Sequence, residues 1–153
     1  MFFVRMMVTG RRLAGAALLL ALLFTAALLA GAPAAAQDDW VRDTEPVEVI
    51  GEQLREHWGA PLHELGVYVY INGEWSPIPF QIDEVDSTGA YTATEDGELD
   101  DDDVLVFMAR DLGEEAGADW LDDPNPRYYA RSEIHVVDPV EPGAEGWAYV
   151  YRL

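Results

Sequence analysis

The 153-residue chain has no cysteine and no lysine. The first absence excludes disulfide staples and a cysteine nucleophile. A domain of this size can hold together on its core alone, so it implies nothing about redox compartment. The second leaves nine arginines to face 29 acids, a net charge of −20. Nucleic acid and anionic lipid surfaces would be repelled, and cations attracted. Catalytic signatures are scarce as well. No glycine-rich phosphate loop and no serine in a nucleophile-elbow context occur, and His57, His63 and His135 lack metal-ligand spacing.

The charge is unevenly distributed. Residues 1–36 hold Arg5, Arg11 and Arg12 and no acid; all 29 acids and the other six arginines follow. Positive residues, an apolar run over 13–30, a break at Gly31-Ala32-Pro33 and the small residues Ala34-Ala35-Ala36 are the parts of an export signal cleaved after Ala36. A retained membrane anchor is the competing reading, since about 18 apolar residues just span a bilayer. With cleavage, the protein is secreted or held in the cell envelope, and the 117 residues after position 36 suffice for one domain. Residues 37–45 read as a flexible lead-in, and residues 46–153 as the domain. An acidic surface with arginine in place of lysine also suits life in brine or plain solubility.

The patterning is that of strands. Residues 66–72 alternate Val67, Val69 and Ile71 with Tyr68 and Tyr70, and Asn72-Gly73 is a strong hairpin signal. Residues 74–83 return as the partner strand, with an open edge where Pro77 and Pro79 cannot donate. Residues 46–50, 128–137 and 147–152 read as further strands, and 90–92 as a short one. The apolar run 104–109 reads as a buried central strand. Residues 52–64 suggest one helical turn and then a loop, and residues 110–127 a long loop. Short strands with turns between them predict an all-β, mostly antiparallel sandwich in one domain. The chain stops inside or just after a strand, as the first part of a longer protein would.

Two constellations could carry function. The first is acidic: Asp83, Glu84 and Asp86, then seven acids within residues 95–103. Clustered carboxylates on a loop suit calcium, which takes six to eight oxygens in loose geometry. The expected ligands are Asp83, Asp86, Asp96, Asp100, Asp101 and Asp103, although the EF-hand spacing is missing. Repulsion among four consecutive aspartates calls for a cation or solvent to relieve it, and a solvated charge run is the plain alternative. The second is aromatic. Tyr68 with Tyr70, and Trp147 with Tyr149 and Tyr151, form period-two stripes, and Trp75, Trp120, Tyr128 and Tyr129 add more rings; Trp75, Trp147, Tyr149 and Tyr151 are the expected ligand residues. Such a row either stacks on sugar rings or fills the core, because each ring buries about 150–250 Å². For acid–base work on a glycoside, Asp83 and Glu84 point to opposite faces of a strand and cannot flank one bond; Asp83 with Asp103 is the remaining pairing.

The stretch from Trp75 through Pro77-Ile78-Pro79-Phe80-Gln81-Ile82-Asp83-Glu84, followed by Leu99-Asp100, Asp103-Val104-Leu105-Val106-Phe107-Met108-Ala109 and Asp111-Leu112-Gly113, resembles uncharacterised secreted proteins of bacteria and archaea. In these a "PIPFQ-DE" strand precedes an "LD-x-x-D-E-L-V-F-M-A" strand. Asp138-Pro139 and Gly146-Trp147-Ala148-Tyr149 fit the same pattern. Val104 stands where such proteins often carry Glu. A looser likeness is to secreted proteins related to rhamnogalacturonan lyases. The resemblance implies secretion and a β fold, and brings no catalytic residue with it.

The expected function is therefore a secreted, non-catalytic binding or accessory module for extracellular polysaccharide, with a calcium-binding acidic loop. A cell-envelope interaction domain and a fragment of a polysaccharide-active enzyme are the alternatives.

Overall fold

A computed structural model describes residues 2–9, 42–86, 88–92, 96–122 and 128–153. Among the described residues, eight strands form two antiparallel sheets: β1 Phe3–Thr9, β2 Pro46–Ile50, β3 Leu65–Ile71, β4 Glu74–Pro77, β5 Phe80–Asp83, β6 Val104–Met108, β7 Arg131–Val137 and β8 Glu145–Arg152. The larger sheet runs β1-β7-β8-β3-β4 and the smaller β2-β6-β5. The expected all-β sandwich is what the chain builds.

Alternation decides which side chains lie between the sheets. Val47 and Val49 of β2 and Leu105 and Phe107 of β6 face inward from the small sheet. Val67 and Val69 of β3, Ile134 and Val136 of β7, and Ala148 and Val150 of β8 meet them from the large one. The run 104–108 is the central strand of the small sheet, as its apolar character requires. Residues 51–64, between β2 and β3, form two 3₁₀ stretches, Gly51–His57 and Leu62–Glu64, which bury Leu54 and His57.

The hairpin of β3 and β4 turns at Asn72 and Gly73, with φ of 52° and 86°. These are the positive angles of a type I′ turn, which Asn-Gly tolerates best. The return strand is not continuous, which corrects the reading of residues 74–83. β4 stays on the large sheet with Tyr68 opposite Pro77. The chain then crosses at Ile78-Pro79, and β5 joins the small sheet with Phe80 opposite Phe107. Pro77 and Pro79 lack N–H groups, so neither sheet can continue through this segment. Other bounds shift by less: β7 begins at Arg131 and β8 at Glu145, and residues 90–92 supply only an isolated bridge between Tyr91 and Val85.

β1 lies inside the segment read as an export signal. Phe3 pairs opposite Val137 and Thr9 opposite Arg131, with Phe2, Val4 and Met6 against the core. The apolar run 13–30, the cleavage site at Ala34–Ala36 and residues 37–41 lie outside the described residues. No helix among the described residues is long and apolar enough to cross a membrane. Residues 42–45 form a turn tied to the domain: Arg42 pairs with Glu45 and with the buried Asp138, and Ala109 and Arg110 donate backbone hydrogen bonds to Glu45 and Asp43.

Candidate functional site

Beyond Tyr68 and Tyr149, β3 and β8 part, and residues 113–114 enter the gap. Gly113 exchanges backbone hydrogen bonds with Trp147 at 2.9 and 3.0 Å, and Glu114 donates to the Tyr70 carbonyl at 2.7 Å. Only glycine fits at the first of these positions. A Cβ on Gly113 would lie 2.6 Å from the Tyr70 carbonyl oxygen and 2.9 Å from Val69 Cβ. This wedge sends residues 115–122 across the outer face of the large sheet. There they cover Tyr149 and Tyr151 with Ala116, Trp120 and Leu121.

Three side chains hold that loop down. The Ala116 N–H donates to Tyr149 Oη at 2.6 Å. Arg131 donates from Nη1 to the Asp119 carbonyl at 2.6 Å and from Nη2 to the Gly117 carbonyl at 2.8 Å. Tyr70 Oη donates to Asp119 Oδ2 at 2.7 Å. Burial pushes the Tyr149 phenol up to about 12. The hydrogen bond to Asp119 raises the Tyr70 phenol as well. Both hydroxyls therefore stay protonated at neutral pH. Arg131 is fully buried and lies over the rings of Trp120 and Tyr149, 5.1 and 4.9 Å from their centroids.

Between this loop and the hairpin a cleft remains, with a volume of about 590 Å³, inside the roughly 300–1,000 Å³ range of small-molecule sites. Tyr70, Trp75 and Trp120 supply its rings, and Glu74, Asp119 and Asp122 its acids. Trp75 is half-buried. It meets Tyr70 at 5.1 Å and Tyr149 edge-on at 5.0 Å, so its plane is set by its neighbours.

The expected aromatic row thus divides. Trp75 lines the cleft. Tyr149 and Tyr151 are 0% exposed and offer no face to a ligand; they are the floor of a second small core, which corrects their expected role. Trp147 stacks flat on His135 at 4.5 Å, away from the cleft lining. Tyr70 and Trp120 belonged to the aromatic constellation but not to the expected ligand set, and Asp119 and Asp122 to neither. The period-two partner Tyr70 was visible in the alternation of β3, but only the Gly113 wedge brings Trp120 to it.

The six expected calcium ligands also divide. Asp100 and Asp101 join Asp102 in a trio whose carboxylate oxygens lie within 4.8 Å of one another, the one such group among the described residues. Three carboxylates carry six oxygens, and calcium takes six to eight. The other four serve local structure. Asp86 accepts from the N–H groups of Thr88 and Ala90 at 2.8 and 3.1 Å, and Asp96 from that of Glu98 at 2.9 Å. Asp83 accepts from Gln81 at 2.6 Å. Asp103 is buried and accepts from the Asp100 N–H at 2.8 Å, while its carbonyl accepts from Gly51 at 2.7 Å. Asp86, Asp96 and Asp103 cap turns, as short polar side chains do in loops.

Comparison with family models, with curated proteins and with solved structures finds no match to this chain.

Proposed function

We propose that the chain is an exported, non-catalytic module that binds extracellular polysaccharide in the cleft between the hairpin and the 115–122 loop. The observation that carries this reading is the half-buried Trp75. It is fixed by Tyr70 and Tyr149 and opens onto a cleft with carboxylates on its walls. A rigid ring of this kind supplies contact area for the apolar face of a sugar at little entropic cost, and carboxylates accept from its hydroxyls. The leader-like composition of residues 1–36 supports export.

The test is binding of the purified protein to an array of bacterial and plant glycans, beside the Trp75→Ala variant. Retention of specific glycans by the wild type and their loss by the variant is the expected result. Equal binding by both would remove the cleft from the account, and no binding by either would favour the envelope interaction domain.

A further inference from the structure

We propose that the mature protein pairs with a second copy of itself through β7, edge to edge, so that the two large sheets run on as one. This rests on the export reading above and adds a partner to it. Its ground is the strand that removal of residues 1–36 would uncover. β1 runs antiparallel along all of β7, from Phe3 opposite Val137 to Thr9 opposite Arg131. Without β1, one whole edge of β7 loses its backbone partners.

That edge carries none of the features that discourage pairing. Its residues, Arg131-Ser132-Glu133-Ile134-His135-Val136-Val137, include no proline, and Ser132, Ile134 and Val136 on the core face bear no charge. Loss of Val4 and Met6, which stand opposite Val136 and Ile134, also leaves apolar surface uncovered there. A second copy fits this edge in one register. With a two-fold axis at Ile134, each Ile134 meets its counterpart, Ser132 meets Val136, Arg131 meets Val137, and Glu133 meets His135 on both sides of the axis. No like charges then stand opposite each other, and both core faces lie on the same side of the joined sheet. Glu133 also gains a partner that it lacks. It is 2% exposed, Arg131 approaches its Oε2 at 3.4 Å, and its Oε1 has no hydrogen-bond partner. The Nε2 of His135 meets Glu145 at 2.8 Å, so Nδ1 is the nitrogen turned to Glu133 of the other copy. β4 lies at the other end of the sheet order, so this pairing does not cover the hairpin beside the cleft.

The experiment is sedimentation of the mature protein, recovered after export, over a range of concentrations, with its mass spectrum taken first. The expected result is a chain starting at Gln37 that doubles its mass as concentration rises through the micromolar range, the strength of a small interface. The unprocessed chain, with β1 in place, should stay monomeric. Six arginines against 29 acids leave each mature chain at −23. Pairing should therefore tighten between about 0.15 M and about 1 M salt, as the screening length falls from about 8 to about 3 Å. Because the pair is reversible, its β7 amides still exchange faster than those held by an attached β1. Engineered disulfides read the register, since the chain has no cysteine of its own. Ile134→Cys should cross-link to itself across the axis, where Cα atoms about 4.5–5.5 Å apart suit a disulfide, and Ser132→Cys should not. His135→Glu sets like charges opposite Glu133 and should weaken pairing about tenfold. His135 is partly exposed, so this variant reports even if the buried ones fail to fold. A mature chain that stays monomeric throughout would overturn self-pairing and leave the export reading standing. Its binding of a synthetic peptide of residues 2–9 would then assign the edge to a strand of another protein. Cross-linking of Ser132→Cys but not of Ile134→Cys, or pairing unchanged in His135→Glu, would overturn the β7 register. An exported chain that retains residue 2 would overturn both readings, because β1 then fills the edge.

Discussion

The guanidinium of Arg131 lies 4.9 Å from the ring centroid of Tyr149, and both residues are 0% exposed. This pair joins β7, β8 and the covering loop, since Arg131 also bonds two loop carbonyls and approaches Glu133 at 3.4 Å. Replacing Arg131 by methionine should cost about 3–5 kcal/mol, because Glu133 would be left as an uncompensated buried charge. Arg131→Met with Glu133→Leu should recover most of that loss. Urea unfolding of the single and double variants measures both.

Gly113 is predicted to be the least replaceable position of the loop. An alanine there drives its Cβ into backbone, not into a side chain that can swing away. Gly113→Ala should lower the melting temperature and expose the Tyr149 and Tyr151 rings, seen as a loss of the near-ultraviolet dichroism of packed aromatics. Gly117→Ala makes the useful comparison, since nothing lies within 4 Å of its added carbon and only its φ of 55° opposes the change. Its effect should be smaller.

Two buried groups set opposing slopes of stability against pH. Burial, with Asp100, Glu84 and Asp102 nearby, pushes the Asp103 carboxyl up to about 6 from 3.8. The unfolded chain gives up that proton first, so stability falls as pH rises from about 4 to about 6. His57 is buried and neutral. Burial first, and Arg152 second, lower it to about 4 from 6.5. The unfolded chain takes up that proton first, so stability falls as pH drops from about 6.5 to about 4. The two contributions nearly offset each other. Asp103→Asn keeps an acceptor for the Asp100 N–H and removes one slope. That variant should be more stable than the wild type at pH 7 and lose the advantage on acidification. His57→Phe should behave oppositely, gaining stability relative to the wild type as pH falls from 6.5 to 4. Melting profiles parallel to that of the wild type would contradict both assignments.

Removal of residues 1–36 should leave β7 as a sheet edge. Phe2, Val4 and Met6 cover core surface and β1 pairs with the whole of β7. On the export reading, the mature protein should show the mass of a chain starting at Gln37. It should exchange the amides of Arg131–Val137 faster than the unprocessed chain, and melt lower than it does. An exported protein that retains residue 2 would show instead that β1 belongs to the working fold.

The sequence made some of this legible. Asn72-Gly73 specified its turn through local backbone preference, and the strand alternation on either side set which residues face the core. The run 104–108 declared itself central because nothing polar interrupts it. What escaped was long-range. Pro77 and Pro79 signalled a broken ladder, but not that the chain would change sheets there. Tyr149 and Tyr151 were visible as a stripe, yet whether a stripe is exposed depends on what crosses it. That was decided by a distant glycine, Gly113, fitting between Tyr70 and Trp147. The aspartates read as ligands by type alone, whereas the backbone N–H groups that Asp86, Asp96 and Asp103 satisfy appear only once the turns exist.

The central claim is that the Trp75 cleft is a carbohydrate site, and tryptophan fluorescence during titration with an array-selected oligosaccharide tests it most directly. The wild type and Trp147→Phe should show the same saturable change, because Trp147 lies outside the cleft lining. Trp75→Phe should lose most of it, and Trp75→Ala should lose binding. A saturable change that survives in Trp75→Ala and disappears in Trp147→Phe would place the ligand on the His135–Trp147 stack and contradict the account.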